Sequence, residues 1–246
     1  MANTKSANFD RSSSQYLSIT DANQTGLDFG SGDFTIEFRM KTSSTVRSFM
    51  FDKREPSGNH QGFYLQLRGD LTNNYLAFYV KDSSGHSLYA DNDTASGNVI
   101  DGAWHYVALV RQSSALYIYL DGNSTPYASD SGTSVGDTDN TNELRLGQVS
   151  IGSGFYYDGL MDEIIVWSEA RTPTQIAESY NSGNGKIYTG TETNMQAYWR
   201  MEDDFTDETA NSNDLTNNNG VTFDTDVPFT GGTPAPTSYI PQIIMS

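Results

Sequence analysis

The stretch DFTIEFRMK alternates without a fault. Phe34, Ile36, Phe38 and Met40 fall on one side of an extended chain, and Thr35, Glu37, Arg39 and Lys41 on the other. A period of two is the pattern of a strand with one buried face, and it does not fit a helix, whose faces repeat every ~3.6 residues. The alternation returns in FYLQLR (63–68), YLAFYVK (75–81), AWHYVALVRQ (103–112), ALYIYLDG (115–122), NELRLG (142–147), LMDEIIVW (160–167) and MQAYWRMED (195–203). Many of these runs end in Asp-Gly, Ser-Gly or Asn-rich turns, where glycine supplies positive φ and Asn or Asp tolerates it. One segment breaks the rule. In ARTPTQIAESYNSGNG, Thr172 and Gln175 have capping-box spacing, Pro173 suits the first helical position, and Ile176 and Tyr180 share a face. Gly183 or Gly185 is expected to end that helix. One short helix among many antiparallel strands predicts an all-β, two-sheet sandwich.

All-β sandwiches reach ~200–250 residues as one unit, so 246 residues predict a single domain over 1–229. Beyond it, PFTGGTPAPTSYIPQIIMS is uncharged, and Pro234, Pro236 and Pro241 favour extended geometry. The tail 230–246 is expected to dock either on its own domain or on a neighbouring subunit. Tyr239, Ile240, Ile243, Ile244 and Met245 would make the oligomer or particle contacts.

A net charge of −17 without a Lys/Arg cluster repels phosphate backbones and removes nucleic acid as a partner. Cysteine is absent, so disulfides and thiolate chemistry drop out and the chain is indifferent to redox compartment. No apolar run long enough for a membrane span and no classical secretion signal is expected.

The stretches ANFDRSSSQYLSI, GDFTIEFRMKT, FDKREPSGNHQGFYLQL, DGAWHYVALVRQSSALYIYLDG, GLMDEIIVWSEARTPTQIAESY and MQAYWRMEDDFTDETANSND resemble the laminin-G-like branch of the concanavalin A-like lectin/glucanase superfamily. They stand in that family's order and span about residues 7–225. The resemblance implies a jelly roll of two antiparallel sheets, often with a structural calcium ion. Arg39 stands where such domains usually carry Trp, and Arg11 replaces a frequent Gly. Arg39 lies on the polar side of its alternation and is expected to make that sheet face more polar.

The adjacent acids Asp162 and Glu163 pose the question of glycoside hydrolysis, which needs two carboxyls facing one bond. Neighbours on a strand point to opposite faces, so the pair is expected to part, with Glu163 a surface charge. The superfamily's retaining glucanases place Glu-x-Asp-x-x-Glu on one strand, whereas Asp162 is followed by Ile164, Ile165 and Val166. His60, His86 and His105 stand apart and match no metalloprotease or serine-hydrolase motif.

One calcium ion is the expected cofactor, since it takes six to eight oxygen donors from separate loops. Asp162 and then Asp10 are the positions that the resemblance implies as ligands. A pentraxin-like ion pair is not expected, because Gln148, Val149 and Ser150 replace its acids after LRLG. For sugars, the loop GSGFYYDG (152–159) offers Tyr156, Tyr157 and Asp158 at the sandwich rim, against the alternative that one tyrosine packs into the core. REPSGNHQG (54–62), with Arg54, Asn59 and His60, is the second loop.

The expectation is therefore a non-catalytic lectin-like protein on a virion surface, a phage decoration or adhesion component contacting glycans or other virion proteins. It would be a homo-oligomer or part of a larger assembly, without membrane insertion. A secreted or cell-surface carbohydrate-binding module and, further off, a glycan hydrolase are the alternatives.

Overall fold

The computed structural model of the chain describes residues 2–93 and 98–230. The strands are β1 (Ser6–Phe9), β2 (Tyr16–Ile19), β3 (Phe34–Lys41), β4 (Arg47–Arg54), β5 (Gly62–Arg68), β6 (Tyr75–Lys81), β7 (Ser87–Asp91), β8 (Trp104–Gln112), β9 (Ala115–Leu120) and β10 (Ala128–Ser131). After them come β11 (Leu144–Leu146), β12 (Gly159–Trp167), the helix α1 (Pro173–Tyr180), β13 (Met195–Trp199), β14 (Thr216–Asn218) and β15 (Thr222–Asp224). They form two antiparallel sheets, a jelly-roll sandwich. One has eight strands in the order β10-β9-β8-β3-β12-β1-β15 with β13 also paired to β12, and the other has seven in the order β14-β2-β11-β4-β5-β6-β7. Among the described residues no helix is long and apolar enough to cross a membrane.

The predicted inward residues of β3 are the core. Phe34, Ile36, Phe38 and Met40 are all buried. Phe38 meets Phe51 of the opposite sheet edge-on at 4.9 Å between ring centres, and Phe34 meets Phe63 at 5.3 Å. Such inter-sheet pairs fill the ~10 Å layer between stacked sheets.

The outward residues of β3 differ from expectation. Thr35, Glu37 and Arg39 are buried as well, because α1 and the segment after it lie over the outer face of the eight-stranded sheet. Ile176 and Tyr180 of α1 pack on Tyr106, Ala108, Val110 and Tyr119, and Tyr188 packs on Trp167 and Tyr198. A face written as polar thus becomes an interior, and its charges need partners. Arg171 meets Glu37 at 2.7 Å and stacks 4.0 Å over Trp167, while Arg39 lies among Tyr106, Tyr180 and Phe229.

The helix begins as its sequence predicts. The Thr172 hydroxyl accepts from the Gln175 N–H, and the Gln175 side chain accepts from the Thr172 N–H at 2.8 Å, the two halves of the capping box. It ends at Asn181, in left-handed geometry at φ 51°, ahead of Gly183 and Gly185.

Candidate functional site

Two places concentrate chemistry, and they lie on opposite outer faces. On the covered face, Asp162 and Glu163 do not part as strand neighbours should. Glu163 has φ 49°, and the β12–β3 register slips between Asp162 and Ile165. This bulge turns both side chains toward Asn3, whose amide nitrogen donates to Asp162 Oδ2 at 2.8 Å and Glu163 Oε1 at 3.3 Å. Tyr198 donates its hydroxyl to Glu163 Oε2, and Arg200 stands 3.8 Å from Glu163 Oε1. Glu163 is 5% exposed and Asp162 fully buried, so the expected surface charge is an interior one. Burial pushes the Asp162 carboxyl well above its ordinary range, with the charge of Glu163 adding to it. Burial likewise pushes Glu163 up to about 7, against the pull of Tyr198 and Arg200. A glycosidase pair must face a cleft that admits a sugar. This pair is sealed beneath Asn3 and serves the scaffold.

The expected calcium ligands do not assemble. Asp10 is exposed and caps its own turn, accepting from the Ser12 N–H at 2.8 Å and from the hydroxyls of Ser12 and Ser13 at 2.7 Å. The Ala7–Met161 register sets Asp162 at the level of Ser6, roughly 13 Å along the strand from Asp10 at ~3.3 Å per residue. Both oxygens of Asp162 already accept hydrogen bonds, from Asn3 and from the Glu163 N–H. Among the described residues no three His, Asp or Glu side chains gather as a metal site would need. Asp162 and Asp10 therefore do not form one site for the ion that the resemblance implied.

The seven-stranded sheet keeps its outer face open. Register puts Arg145, Asp52, Tyr64, Tyr79 and Tyr89 in one row across five strands. Tyr64 and Tyr79 stack at 4.9 Å, and the Arg54 guanidinium covers Tyr64 at 4.1 Å. Three of the four arginines here find an acid two residues away on their own strand or just past its end, on the same side of the pleat. Arg54 takes Asp52 at 2.9 and 2.5 Å, Arg68 takes Asp70 at 2.9 and 3.2 Å, and Arg145 takes Glu143.

Arg47 is the exception. Its Nε donates to Gln66 Oε1 at 3.0 Å, and among the described residues no carboxylate lies within 4 Å of its guanidinium. It stands 5.5 Å from the Phe49 ring and 5.2 Å from that of Phe155.

Phe155 is 45% exposed, and its loop is pinned rather than loose. The Gly147 N–H donates to Met50 O, the Phe49 N–H to Phe155 O, and the Tyr157 N–H to Gly147 O at 2.8 Å, so the loop runs as an extension of the sheet. Phe155 takes φ 53°, a costly choice for a bulky residue, of order 1–3 kcal/mol. Beside it a groove of about 580 Å³ is lined by Arg11, Thr45, Arg47, Asp70, Ser153 and Phe155. Through Arg11, Thr45 and Val46 it continues into one of about 720 Å³ that reaches Asn8, Lys41 and Asp158.

The structure sorts the predicted sugar residues. Asp158 is exposed and lines the groove, whereas Tyr156 is half-buried and is not among the lining residues. Tyr157 is a core residue and not a rim one. Its ring meets Phe9 edge-on at 5.9 Å and its hydroxyl donates to the carbonyls of Lys41 and Leu160, both at 3.2 Å. Arg54 is a buried strand residue, tied to Asp52, and not a loop contact. Asn59 spends its amide on Asp82 O at 2.7 Å, and His60 stands 3.1 Å from Glu55 O. Their loop follows the far end of β4 from Arg47, seven residues or roughly 23 Å along the strand, so the two predicted loops form no common site. The contact residues assigned to Tyr239, Ile240, Ile243, Ile244 and Met245 lie outside the described residues.

Residues 11–177 match the laminin-G-type family described as concanavalin A-like lectin/glucanases superfamily. The chain belongs to that superfamily. No curated protein sequence is similar enough to match it. Among solved structures it is similar to a candidate carbohydrate-binding protein from Bacteroides ovatus, at 19% identity and TM-score 0.62. That likeness covers 93% of this chain, which spans 62% of the Bacteroides chain. It is also similar to a heptameric SAP-like pentraxin from Limulus polyphemus, at 17% identity and TM-score 0.59, over 90% of this chain and 94% of that one. At these identities the likeness establishes the fold.

On this lectin-like fold, the groove residues that sequence reasoning missed are Phe155, Arg47 and Arg11. Phe155 belongs to the loop that was singled out, but an irregular loop has no period to tell which ring turns out. For Arg47 a signal existed: unlike Arg54, Arg68 and Arg145, it has no acid two residues before or after it, where Thr45 and Phe49 stand.

Proposed function

We propose that the chain is a non-catalytic glycan-binding module that takes its ligand in the Phe155–Arg47 groove. The observation that carries this reading is the backbone-pinned, outward-turned Phe155 at the edge of an open groove. A large exposed aromatic loses apolar area to water unless something covers it, and a sugar ring offers an apolar face ringed by hydroxyls. Ser153, Thr45 and Asp158 supply polar groups along the same groove. The absence of catalysis is supported by the sealing of Asp162 and Glu163 on the other side of the molecule. A glycan array with wild type, Phe155→Ala and Tyr156→Ala tests the reading. Wild type is expected to bind and Phe155→Ala to lose most of the signal. An array blank for wild type ends it.

Display on a phage particle as a decoration or adhesion protein is the finer part of the proposal. A cysteine-free sandwich of net charge −17 tolerates a reducing cytoplasm before release and stays soluble at high copy number. Detection of the chain in purified particles is the expected result, and its absence there would leave a cell-surface module.

A further inference from the structure

The groove carries more than an aromatic edge, and its charge is unlike that of the rest of the chain. Net charge is −17, yet the groove beside Phe155 has two guanidinium groups, Arg11 and Arg47, and neither has a carboxylate within 4 Å among the described residues. The one acid on its wall, Asp70, is held by both of its oxygens in the fork of Arg68. A cation without a carboxylate in direct contact is not the habit of this face, where Arg54, Arg68 and Arg145 are each matched by an acid, and Arg47 feels Asp70 only across the groove. Arg47 is also preorganised. Gln66 holds its Nε and the rings of Phe49 and Phe155 flank it, while Nη1 and Nη2 have no acceptor among the described residues. A guanidinium fixed at Nε with its two terminal nitrogens unengaged presents the edge that a planar carboxylate takes in two parallel hydrogen bonds.

We infer that the ligand is an acidic saccharide, a sugar residue bearing a carboxylate, with its ring against Phe155 and its carboxylate on Arg47 and Arg11. This rests on the glycan-binding reading above and gives it a ligand class. A carboxylated pyranose bears its charge a single bond outside the ring, which matches a cation beside the aromatic rather than at the far end of the groove. The second half of the groove holds Lys41, already paired with Asp226 at 2.6 Å, together with Asp158 and Asp224. That half suits a neutral neighbouring residue and disfavours a second anion.

The test uses the full chain on an array of uronate- and sialate-bearing glycans, each beside its methyl ester, its neutral parent and a sulfated counterpart. The ester keeps the shape and removes the charge. Wild type is expected to bind the acids about tenfold more tightly than their esters, the range of one charge-assisted hydrogen-bond pair. Arg47→Gln is expected to lose that tenfold preference, the ratio of acid to ester affinity falling to about one. Arg47→Lys, which keeps the charge without the fork, should recover only part of it. A thermal melt unchanged in the variants separates lost binding from lost fold. Equal binding of acids and esters by wild type overturns the acidic-sugar inference and leaves the module a neutral-glycan binder. An acid preference that survives both Arg47→Gln and Arg11→Gln overturns the site. Tighter binding of sulfated than of carboxylated probes overturns the choice of carboxylate. No glycan bound at all removes this inference and the glycan-binding reading together.

Discussion

The two outer faces of the sandwich are written in the same alphabet and put to opposite uses. Outward positions of β3 carry Thr35, Glu37 and Arg39, and outward positions of β4 and β5 carry Asp52, Arg54, Tyr64 and Gln66. On the eight-stranded side, α1 and the segment after it close over the polar row, and Glu37 and Arg39 become part of an interior. On the seven-stranded side no helix covers the row: Asp52, Arg54 and Gln66 are buried by their own neighbours, while the rings of Tyr64, Tyr79 and Tyr89 and the Arg145 guanidinium are half-buried at the surface. What a charged residue does in this protein therefore depends on whether another element lies on top of it and on the partners beside it on its own face.

The sharpest way to break this contrast is to remove one partner of the buried pair. Arg171→Met strands Glu37, which is fully buried and whose carboxyl burial already pushes upward. Breaking such a pair from one side costs about 3–5 kcal/mol, and replacing both partners costs far less. Chemical denaturation is expected to place Arg171→Met that far below wild type, with Glu37→Met/Arg171→Met between them. A single variant as stable as wild type would mean that the covered face is not an interior.

The loop after β11 holds both regimes two residues apart. Tyr157→Ala removes a core ring and is expected to cost about 3–5 kcal/mol. Phe155→Ala removes an exposed one and should stay within about 0.5 kcal/mol of wild type while abolishing glycan binding. Denaturant midpoints and array signals together check the pair, and equal stability losses would erase the distinction between core and platform.

Much of this was legible in the sequence because it is local. The YLAFYVK run coincides with β6, and Thr172, Pro173 and Gln175 mark the helix start that forms. The bulge at Glu163 was not legible. Nothing in LMDEIIVW announces a positive φ, and one such residue turns two acids from opposite faces to the same partner. Nor does alternation say which polar row will be covered: FTIEFRMK and FYLQLR read alike, and only the path of the chain after Trp167 separates them. The expected rim tyrosine went the same way, because Phe155 and Tyr157 are chemically near-equal and a pinned loop, not a period, decides which turns inward.

The covered face also predicts a pH dependence. Glu163 has an ordinary value of 4.5 and is pushed up to about 7 in the fold, and Asp162 is raised beside it. Between those values the unfolded chain has released a proton that the folded one retains. Stability must then fall as pH rises through that window, by up to about 1.4 kcal/mol per pH unit for each group titrating. Denaturation at pH 5 and pH 7.5 should show wild type more stable at the lower pH from this pair. Glu163→Gln should reduce the difference, and a difference of the same size in wild type and Glu163→Gln would assign the slope elsewhere. His105, raised by its hydrogen bond to Asp121, acts in the same direction, so His105→Asn is the control that separates the two.

The smallest effect on stability falls on the open face and sharpens the comparison most finely. Arg68 and Asp70 form a two-bonded pair in sight of solvent, and exposed pairs contribute about 0.2–1 kcal/mol. Arg68→Gln is expected to change the denaturation midpoint within that range. Its effect on binding should be larger than its effect on stability, because Asp70 would then be an uncompensated carboxylate in the groove that holds Arg47. It would compete with an acidic ligand for the same guanidinium and repel the ligand's charge, so affinity for carboxylated glycans should drop several-fold while their esters bind as before. A loss of stability above about 2 kcal/mol would instead make Arg68 a structural charge, and the open face would then obey the rule of the covered one.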